Sequence, residues 1–420
     1  MIHQLSLVAF WGLLGYMLAQ IPPLAFFLRK LRKWGRFRPE DDPCPKAAVI
    51  LCLRGADPSL AECLRGALRQ DYPDCELRVV VDSPDDPAWK VLNKIAGEPD
   101  SGKMRIRVLT DRRDTCSLKC SALVQAINDL DSTFEVVAFM DADIIPHKTW
   151  LRELVHPLSD PRVGAATGNR WYAPRHTSWG SLTRYCWNAS AVVHMDWYHI
   201  AWGGSLALRR ADIETSGILE RWAKALCEDT MLHRELGNLG LRIAFVPSLM
   251  MINREDIGLR GCFSWIRRQF LATRLYHRFW PGMVASGILA CMLPVFALGV
   301  FAAAAAVGDA RAMVYSGGAL LGYELGVFFL LCLMEYFVRP VADVHGARKQ
   351  RRTWRNRLKT LAAIPLSQVL SGGALLSAQV IRKVVWRGVT YRIKSPYRIS
   401  LVRDRPYAPD PGSENQNASL

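Results

Sequence analysis

The stretch Val136–Trp150, VVAFMDADIIPHKTW, runs five apolar residues into Asp141-Ala-Asp143, with Pro146 soon after. The apolar run reads as a strand, and the two acids stand at its C-terminal end. Aspartate is depleted in strands and expensive to bury, so a structural purpose for the pair is hard to find. The arrangement suits one task well: holding a hard divalent cation through oxygen while the metal's other positions stay open to a phosphate. The competing reading is a solvated turn leading into a helix that starts near Lys148. The rest of the chain decides between them.

Outward from this strand the pattern alternates. Between Pro45 and Arg254, short β-rich runs (AAVILCL, ELRVVV, RIRVL, EVVAFM, RIAFV) are separated by helical stretches such as Leu60–Gln70 and Ser117–Leu130. Such alternation argues for a mostly parallel sheet with helices on both faces. Ligands of these sheets bind at the carboxyl ends of the strands. The first strand exits into Arg54-Gly55, the second into Asp82 and the fourth into Asp141 and Asp143. A carboxylate at Asp82 can accept the ring N–H of a uracil, or can be an ordinary turn residue or cap. Together with a metal at Asp141 and Asp143, it outlines a nucleotide lying across the sheet edge. Lys119, at the start of the helix after the third strand, is either a further charge for the phosphates or a solvated lysine. Gly203-Gly204-Ser205 precede an apolar run, where glycine permits close approach to a ligand or a plain tight turn. Glu228 and Asp229 open another helix. The helix dipole favours acids there; the functional reading is a general base that removes a proton from an acceptor hydroxyl.

With 420 residues, 50% of them hydrophobic, and a mean hydropathy of +0.05, the chain is more apolar than an ordinary soluble enzyme. The excess is concentrated. Met1–Leu28 and Pro281–Val307 carry no formal charge, Ala312–Val338 carries only Glu324 and Glu335, and Thr360–Ile381 is again uncharged. Each is long enough for a helix that crosses a bilayer core, which needs ~20 residues. The first has no basic N-terminal region and no small-residue cleavage site, so an uncleaved anchor is expected. Basic flanks after Leu28, at Arg267–Arg278 and at Arg339–Lys359 place the intervening domain on the cytoplasmic side of a multi-pass membrane protein. The net charge of +16 is therefore gathered beside the apolar stretches and reads as attraction to an anionic lipid surface. A nucleic-acid partner is not expected, since the soluble part shows no basic stripe interleaved with aromatics. Were Thr360–Ile381 to cross, the basic segment RKVVWRGVTYRIKSPYR would lie on the far side. Pro365 and Gly372-Gly373 favour a re-entrant or interfacial hairpin instead. The 11 cysteines lack metal-ligand spacing and read as small hydrophobes in a reducing compartment. The expected organisation is an anchor at 1–28, a catalytic domain at 45–254, a membrane-proximal segment at 255–280, a membrane region at 281–394 and a polar tail at 395–420.

The order Arg54-Gly55, QDYP (Gln70–Pro73), Asp82, Asp141-x-Asp143, Gly203–Ser205 and Glu228-Asp229 resembles the family-2 inverting glycosyltransferases. Within them it looks most like the membrane ceramide-glucosyltransferase group. VVWRGVTYRI (Val384–Ile393) is similar to the element that ends that group, so the resemblance covers roughly Pro45 to Lys394. It implies a GT-A (Rossmann-like) α/β domain with N- and C-terminal transmembrane helices. It also implies transfer of a sugar from a nucleotide-sugar donor, expected to be UDP-linked, to a lipid or other membrane-associated hydroxyl. Arg54, Gly55, Asp82, Lys119 and Asp141 would bind the donor, and Asp141 and Asp143 would bind Mg²⁺ or Mn²⁺. Gly203, Gly204, Ser205, Arg268 and Gln269 would meet the acceptor and the diphosphate. Asp229, with Glu228 beside it, would be the catalytic base. One departure leaves the acceptor's identity open. The group carries Gln or Arg, two residues, then Arg-Trp near the membrane-proximal helix. Here the best match is Trp265–Gln269, with only Arg268 in place and Gln269 where Trp is expected.

Two other enzymes fit less well. A processive polysaccharide synthase needs a conduit that two to four apolar segments build poorly. A phosphatase of the haloacid-dehalogenase type would use Asp141 as nucleophile, but its motif belongs on the first strand. A non-enzymatic scaffold gives no reason for acids at strand ends. The full-length chain is expected to stay with the membrane fraction through a high-salt wash, because salt screens basic patches but not apolar burial. Release by salt alone would contradict the reading of the apolar stretches as anchors.

Overall fold

In strand β1 (Ala47–Leu53) every residue except Cys52 is buried. Ala48 and Ile50 enter one apolar cluster, while Ala47, Val49, Leu51 and Leu53 enter another on the opposite face. A strand covered on both faces has no polar side to show, which is why it reads as a continuous apolar run. The computed structural model describes residues 1–33, 44–344 and 353–405.

The sheet combines β1 with β2 (Cys75–Val81), β3 (Met104–Val108), β4 (Val136–Met140), β5 (Val163–Tyr172), β6 (Ser205–Arg209) and β7 (Arg242–Asn253). Its order is β3-β2-β1-β4-β6-β5-β7. The pairs β1–β2, β2–β3, β1–β4 and β5–β7 are parallel, and only β6 runs against its neighbours β4 and β5. The helices preceding and within this domain are α1 (Ile2–Ala19), α2 (Ile21–Lys33), α3 (Leu60–Leu68), α4 (Ala88–Ala96), α5 (Leu118–Asn128), α6 (Trp150–Val155) and α7 (Trp179–Trp197). Next come α8 (Arg210–Ser216), α9 (Ile218–Trp222), α10 (Leu232–Gly237), α11 (Leu259–Tyr276), α12 (Trp280–Val307), α13 (Ala310–Val344) and α14 (Trp354–Val380). A separate antiparallel sheet, β8 (Lys383–Trp386), β9 (Val389–Ser395) and β10 (Arg398–Arg403), closes the chain. Its Val384, Val389, Tyr391 and Ile393 join the same core cluster as α5, α9 and α10. The last strand thus occupies part of the expected tail, and residues 406–420 lie outside the described part.

Helices α1, α12 and α13 pack together around Ala9, Leu13, Ala297, Ala319 and Tyr323. Small residues let them approach: a Cβ on Gly12 would meet Leu293 at 3.1 Å, and one on Gly317 would meet Phe301 at 2.9 Å. Their outer faces leave Trp11, Val295, Leu298, Leu321 and Phe329 exposed. The chain has four helices, counted over the described residues, that are long and apolar enough to cross a membrane.

Two expectations about these segments change. The N-terminal apolar stretch runs past Leu28 as α1 and α2 joined by a turn at Gln20, and Ile2–Lys33 together is long and apolar enough to cross a membrane. Pro22 and Pro23 fall in the first turn of α2, where a missing N–H is tolerated. From there α2 buries Leu24, Phe27, Leu28 and Leu31 with Trp171, Tyr185 and Val192 of the sheet domain. The fourth stretch forms no hairpin. It is the single helix α14, held by packing along its length on α7 and α11. Ser367 Oγ donates to the Thr183 carbonyl at 3.2 Å, and Trp187 Nε1 donates to Ser371 Oγ at 3.2 Å. Gly372 and Gly373 serve contact with Cys291 and Phe263 rather than a bend. Near the two ends of α14, Lys359 donates to the Thr177 carbonyl and Arg274 donates to the Ala378 carbonyl. The helix packs on α12 and α13 as well as on α7 and α11.

Trp150 is fully buried at the start of α6, and its indole N–H donates to Ser205 Oγ at 2.9 Å. Trp150→Ala is expected to lose ~3–5 kcal/mol through the cavity it leaves. This should show as a lower denaturant midpoint, with Trp150→Phe falling between the two.

Candidate active site

The ends of β1, β2 and β4 meet at one rim. At the end of β2, Asp82 is 7% exposed and lies between two arginines. Arg54 Nη1 donates to Asp82 Oδ2, and Arg112 Nη1 donates to Asp82 Oδ1 at 2.7 Å and to its carbonyl at 2.7 Å. Asp404, just past β10, accepts from both guanidiniums. Gly55 takes the left-handed conformation (φ 81°) and donates its N–H to the Asp86 carboxylate at 2.9 Å. It shapes the exit of β1 without lining the pocket.

A chain of alternating charges runs through the centre. Lys119 Nζ lies 2.7 Å from Glu228 Oε1 and 2.8 Å from Asp141 Oδ1. Arg170 Nη2 lies 3.2 Å from Asp141 Oδ2 and 3.0 Å from Asp143 Oδ2. Asn253 completes the row by donating to Asp143 Oδ2 at 3.2 Å. Burial alone would drive protons onto Asp141, but Lys119 and Arg170 outweigh it and hold its pKa below the usual carboxylate value. Burial also opposes charge on Lys119, and Asp141 and Glu228 more than reverse it, raising its pKa well above normal. Glu228, 2% exposed, goes the other way: burial raises its pKa and adjacent Asp229 adds to that, with Lys119 opposing.

Asp141 and Asp143 fit a divalent cation by their own geometry. Both carboxylates converge on one atom, Arg170 Nη2, so positive charge is already favoured at their shared point. Three carboxylates along this row share two cations. The described residues hold no cluster of three or more metal-ligating side chains, so a metal here would keep positions for phosphate oxygens and water.

Gly203 and Gly204 fill the tight-approach role. A Cβ on Gly203 would collide with Glu228 Oε1, and one on Gly204 would collide with the Trp202 ring. The Gly203 N–H donates to Asp229 Oδ2 at 3.0 Å. Asp229 Oδ1 accepts from the Thr230 N–H at 2.6 Å and from its hydroxyl at 3.0 Å. The two acids are thus separated: Glu228 is engaged by Lys119, and Asp229 is fixed by local donors at the wall of a cavity. Ser205, expected at the site, is fully buried and bonded to Trp150.

Two cavities meet here. The smaller, ≈ 140 Å³, includes Arg54, Asp82, Asp143 and Arg387 in its lining. The larger, ≈ 490 Å³, passes Asp229, Gln269 and Trp187 and reaches Tyr16, Met283 and Gln368 among the apolar helices. Lys119, Asp141, Arg170, Arg268 and Trp386 line both. Arg268 is half-buried in this junction, with no ion pair to any described acid. Burial, then Arg170 and Arg387, lower its pKa to about 10. A half-buried cation in that position suits an anionic ligand. Trp265 lies in the core against Tyr172 and Trp187.

Sequence reading missed Arg112, Arg170 and Asp57. Arg170 had a signal, a guanidinium within the otherwise apolar end of β5. Asp57 had none before Arg387 was seen to grip its carboxylate at 2.9 Å.

Comparison with known proteins places this geometry. A Bacillus subtilis (strain 168) protein named "Probable glycosyltransferase YdaM" is 28% identical over 271 residues, 60% of this chain and 61% of that protein. The ceramide glucosyltransferase of Gibberella zeae is 25% identical over 131 residues, 29% of this chain and 24% of that protein. The chain thus spans less than two thirds of either relative. Among solved structures, the mannosyltransferase PcManGT from Pyrobaculum calidifontis, in complex with GDP-Man and Mn²⁺, superposes with a TM-score of 0.50 at 22% identity. That match covers 83% of this chain and 100% of PcManGT, and it shows that the fold is GT-A. The sequence model of glycosyl transferase family 21 matches residues 16–399. The chain belongs to glycosyl transferase family 21.

Proposed function

We propose that this protein is a membrane-bound inverting glycosyltransferase that moves a sugar from a nucleotide sugar to a hydroxyl of a lipid. The observation that carries the reading is the junction. A pocket rimmed by strand-end charges opens into a cavity that continues among membrane-type helices, and Asp229 stands where the two approach. A soluble acceptor would not require that continuity. The catalytic domain faces the cytoplasm in this reading, because the basic flanks lie on its side.

The nucleotide lies over Arg54, Asp82 and Arg112, and a UDP-linked donor suits a carboxylate that can accept the uracil N–H. Mg²⁺ or Mn²⁺ at Asp141 and Asp143 would supply charge stabilisation to the departing diphosphate. Arg268 and Lys119 add fixed positive charge beside it, in a site where neither must reorganise as the bond breaks. The acceptor hydroxyl approaches from the larger cavity, on the face of the sugar opposite the diphosphate. Asp229 takes its proton as the new bond to the anomeric carbon forms, which inverts that centre. Gly203 N–H and Thr230 keep the carboxylate aimed, and Glu228 holds Lys119 in place.

Two variants test these roles. Asp143→Ala is expected to abolish metal-dependent donor binding while the fold survives, with some loss of thermal stability because Arg170 and Asn253 lose a partner. Normal metal dependence of turnover in that variant would remove the metal role from the pair. Asp229→Asn keeps the size of the side chain but not its basicity, and gives up one of the bonds accepted from Gly203 and Thr230. Turnover should fall ~10²–10⁴-fold with donor affinity little changed, the usual contribution of a general base. If the residue is only a helix-start group, Asn serves as well and turnover stays near wild type. Glu228→Gln is the control: a fall in that variant alone would move the base by one residue.

A further inference from the structure

Of the five side chains that line both cavities, one comes from the far end of the chain. Trp386 closes β8, pairs across the turn with Val389, and lines both the donor pocket and the larger cavity. Arg268 on α11 stands over its ring, with the guanidinium carbon 5.1 Å from the ring centroid. The turn that follows is fixed. Arg387 adopts φ 46° and Gly388 φ 79°. Arg387 Nη2 donates to Asp57 at 2.9 Å, and the Arg387 carbonyl accepts from Arg54 Nε at 2.8 Å. Trp386 is therefore followed by an anchored neighbour, Arg387. Sequence position 269, where an aromatic was expected after Arg268, carries Gln instead. The aromatic beside Arg268 is supplied 118 residues later (386 − 268), from another element.

We propose that Trp386, braced by Arg268, is the partition between donor pocket and acceptor cavity, and that it directs the sugar to the acceptor by keeping water from the junction. The inference rests on the transfer reaction proposed above. A nucleotide sugar held beside a fixed carboxylate is open to attack by water as well as by a lipid hydroxyl. In hydrolysis the water oxygen bonds to the anomeric carbon and the carbon–phosphate oxygen bond breaks. Its electron pair leaves on the nucleoside diphosphate, and the water's proton passes to Asp229. Only the nucleophile differs from transfer, so exclusion of water sets the outcome. An indole covers more of the opening than any smaller ring and gains from the cation facing it.

The test uses the full-length protein in detergent with membrane lipid extract, supplied in separate reactions with radiolabelled UDP-glucose and GDP-mannose. Free sugar and lipid-linked sugar are counted in the same reaction. Trp386→Ala is expected to raise the ratio of free to lipid-linked sugar at least ~10-fold, and Trp386→Phe should restore most of the difference. Val385→Ala, on the exposed neighbour, should leave the ratio unchanged. If free and lipid-linked sugar fall in proportion in Trp386→Ala, the tryptophan is merely structural and the proposal is overturned. If the wild type releases free sugar but labels no lipid, the acceptor reading itself fails and takes this one with it.

Discussion

Lys119 is the group on which the site depends. Its ammonium touches Asp141 on the side of the donor and Glu228 on the side of the acceptor. Without it, the end of β4 and the turn before α10 would bring acids together with nothing between them. Removing one partner from a buried ion pair costs ~3–5 kcal/mol, because the other charge stays buried and uncompensated. The ammonium is placed by the start of α5, whose cap is local: Ser117 Oγ accepts the Cys120 N–H at 3.1 Å. Tyr391 then accepts the Leu118 N–H at 3.1 Å, so the C-terminal sheet also secures this helix. One lysine thus joins the donor rim, the acceptor wall and the last strands of the chain.

The legible parts of the molecule were those whose cause is local. β1, β2 and β4 are β-branched or apolar runs, and the acids at their ends break the pattern so sharply that they mark the site. β5 and β6 were not readable as strands. β5 is rich in Ala and Gly, and Gly168 is needed there because a Cβ would meet the Leu249 carbonyl at 2.5 Å. Its strand state comes from pairing with β7, which no local propensity announces. The reversal of β6 is likewise a property of the sheet. The glycine pair in α14 was misread for a related reason. Glycine signals both a bend and a close contact, and only the partner helix tells which.

The site residues divide in the same way. Asp82, Lys119, Asp141 and Asp143 stood out because each follows a strand or lies in the first turn of a helix; Asp229 was expected to open one, but it lies in the turn ahead of α10, which starts at Leu232. Ser205 stood out too, yet it bonds to a buried indole. Arg112, Arg170 and Asp57 gain their roles from residues distant in sequence. Acids that break an apolar pattern can be found in one dimension, while the cations that neutralise them require the third.

The order of elements along the chain has a consequence for how the enzyme is made. α1 and α2 leave the ribosome first, then β1 to β7, then the remaining apolar helices, and only then Trp386, Arg387, Tyr391 and Asp404. The nucleotide pocket takes its last wall from residues synthesised after every helix that can enter the bilayer. A nascent chain whose helices have not inserted therefore carries the carboxylates and the lysine but lacks the cover over them. The pocket at the ends of β1, β2 and β4 is complete only once β8 to β10 have been made and have packed against α5.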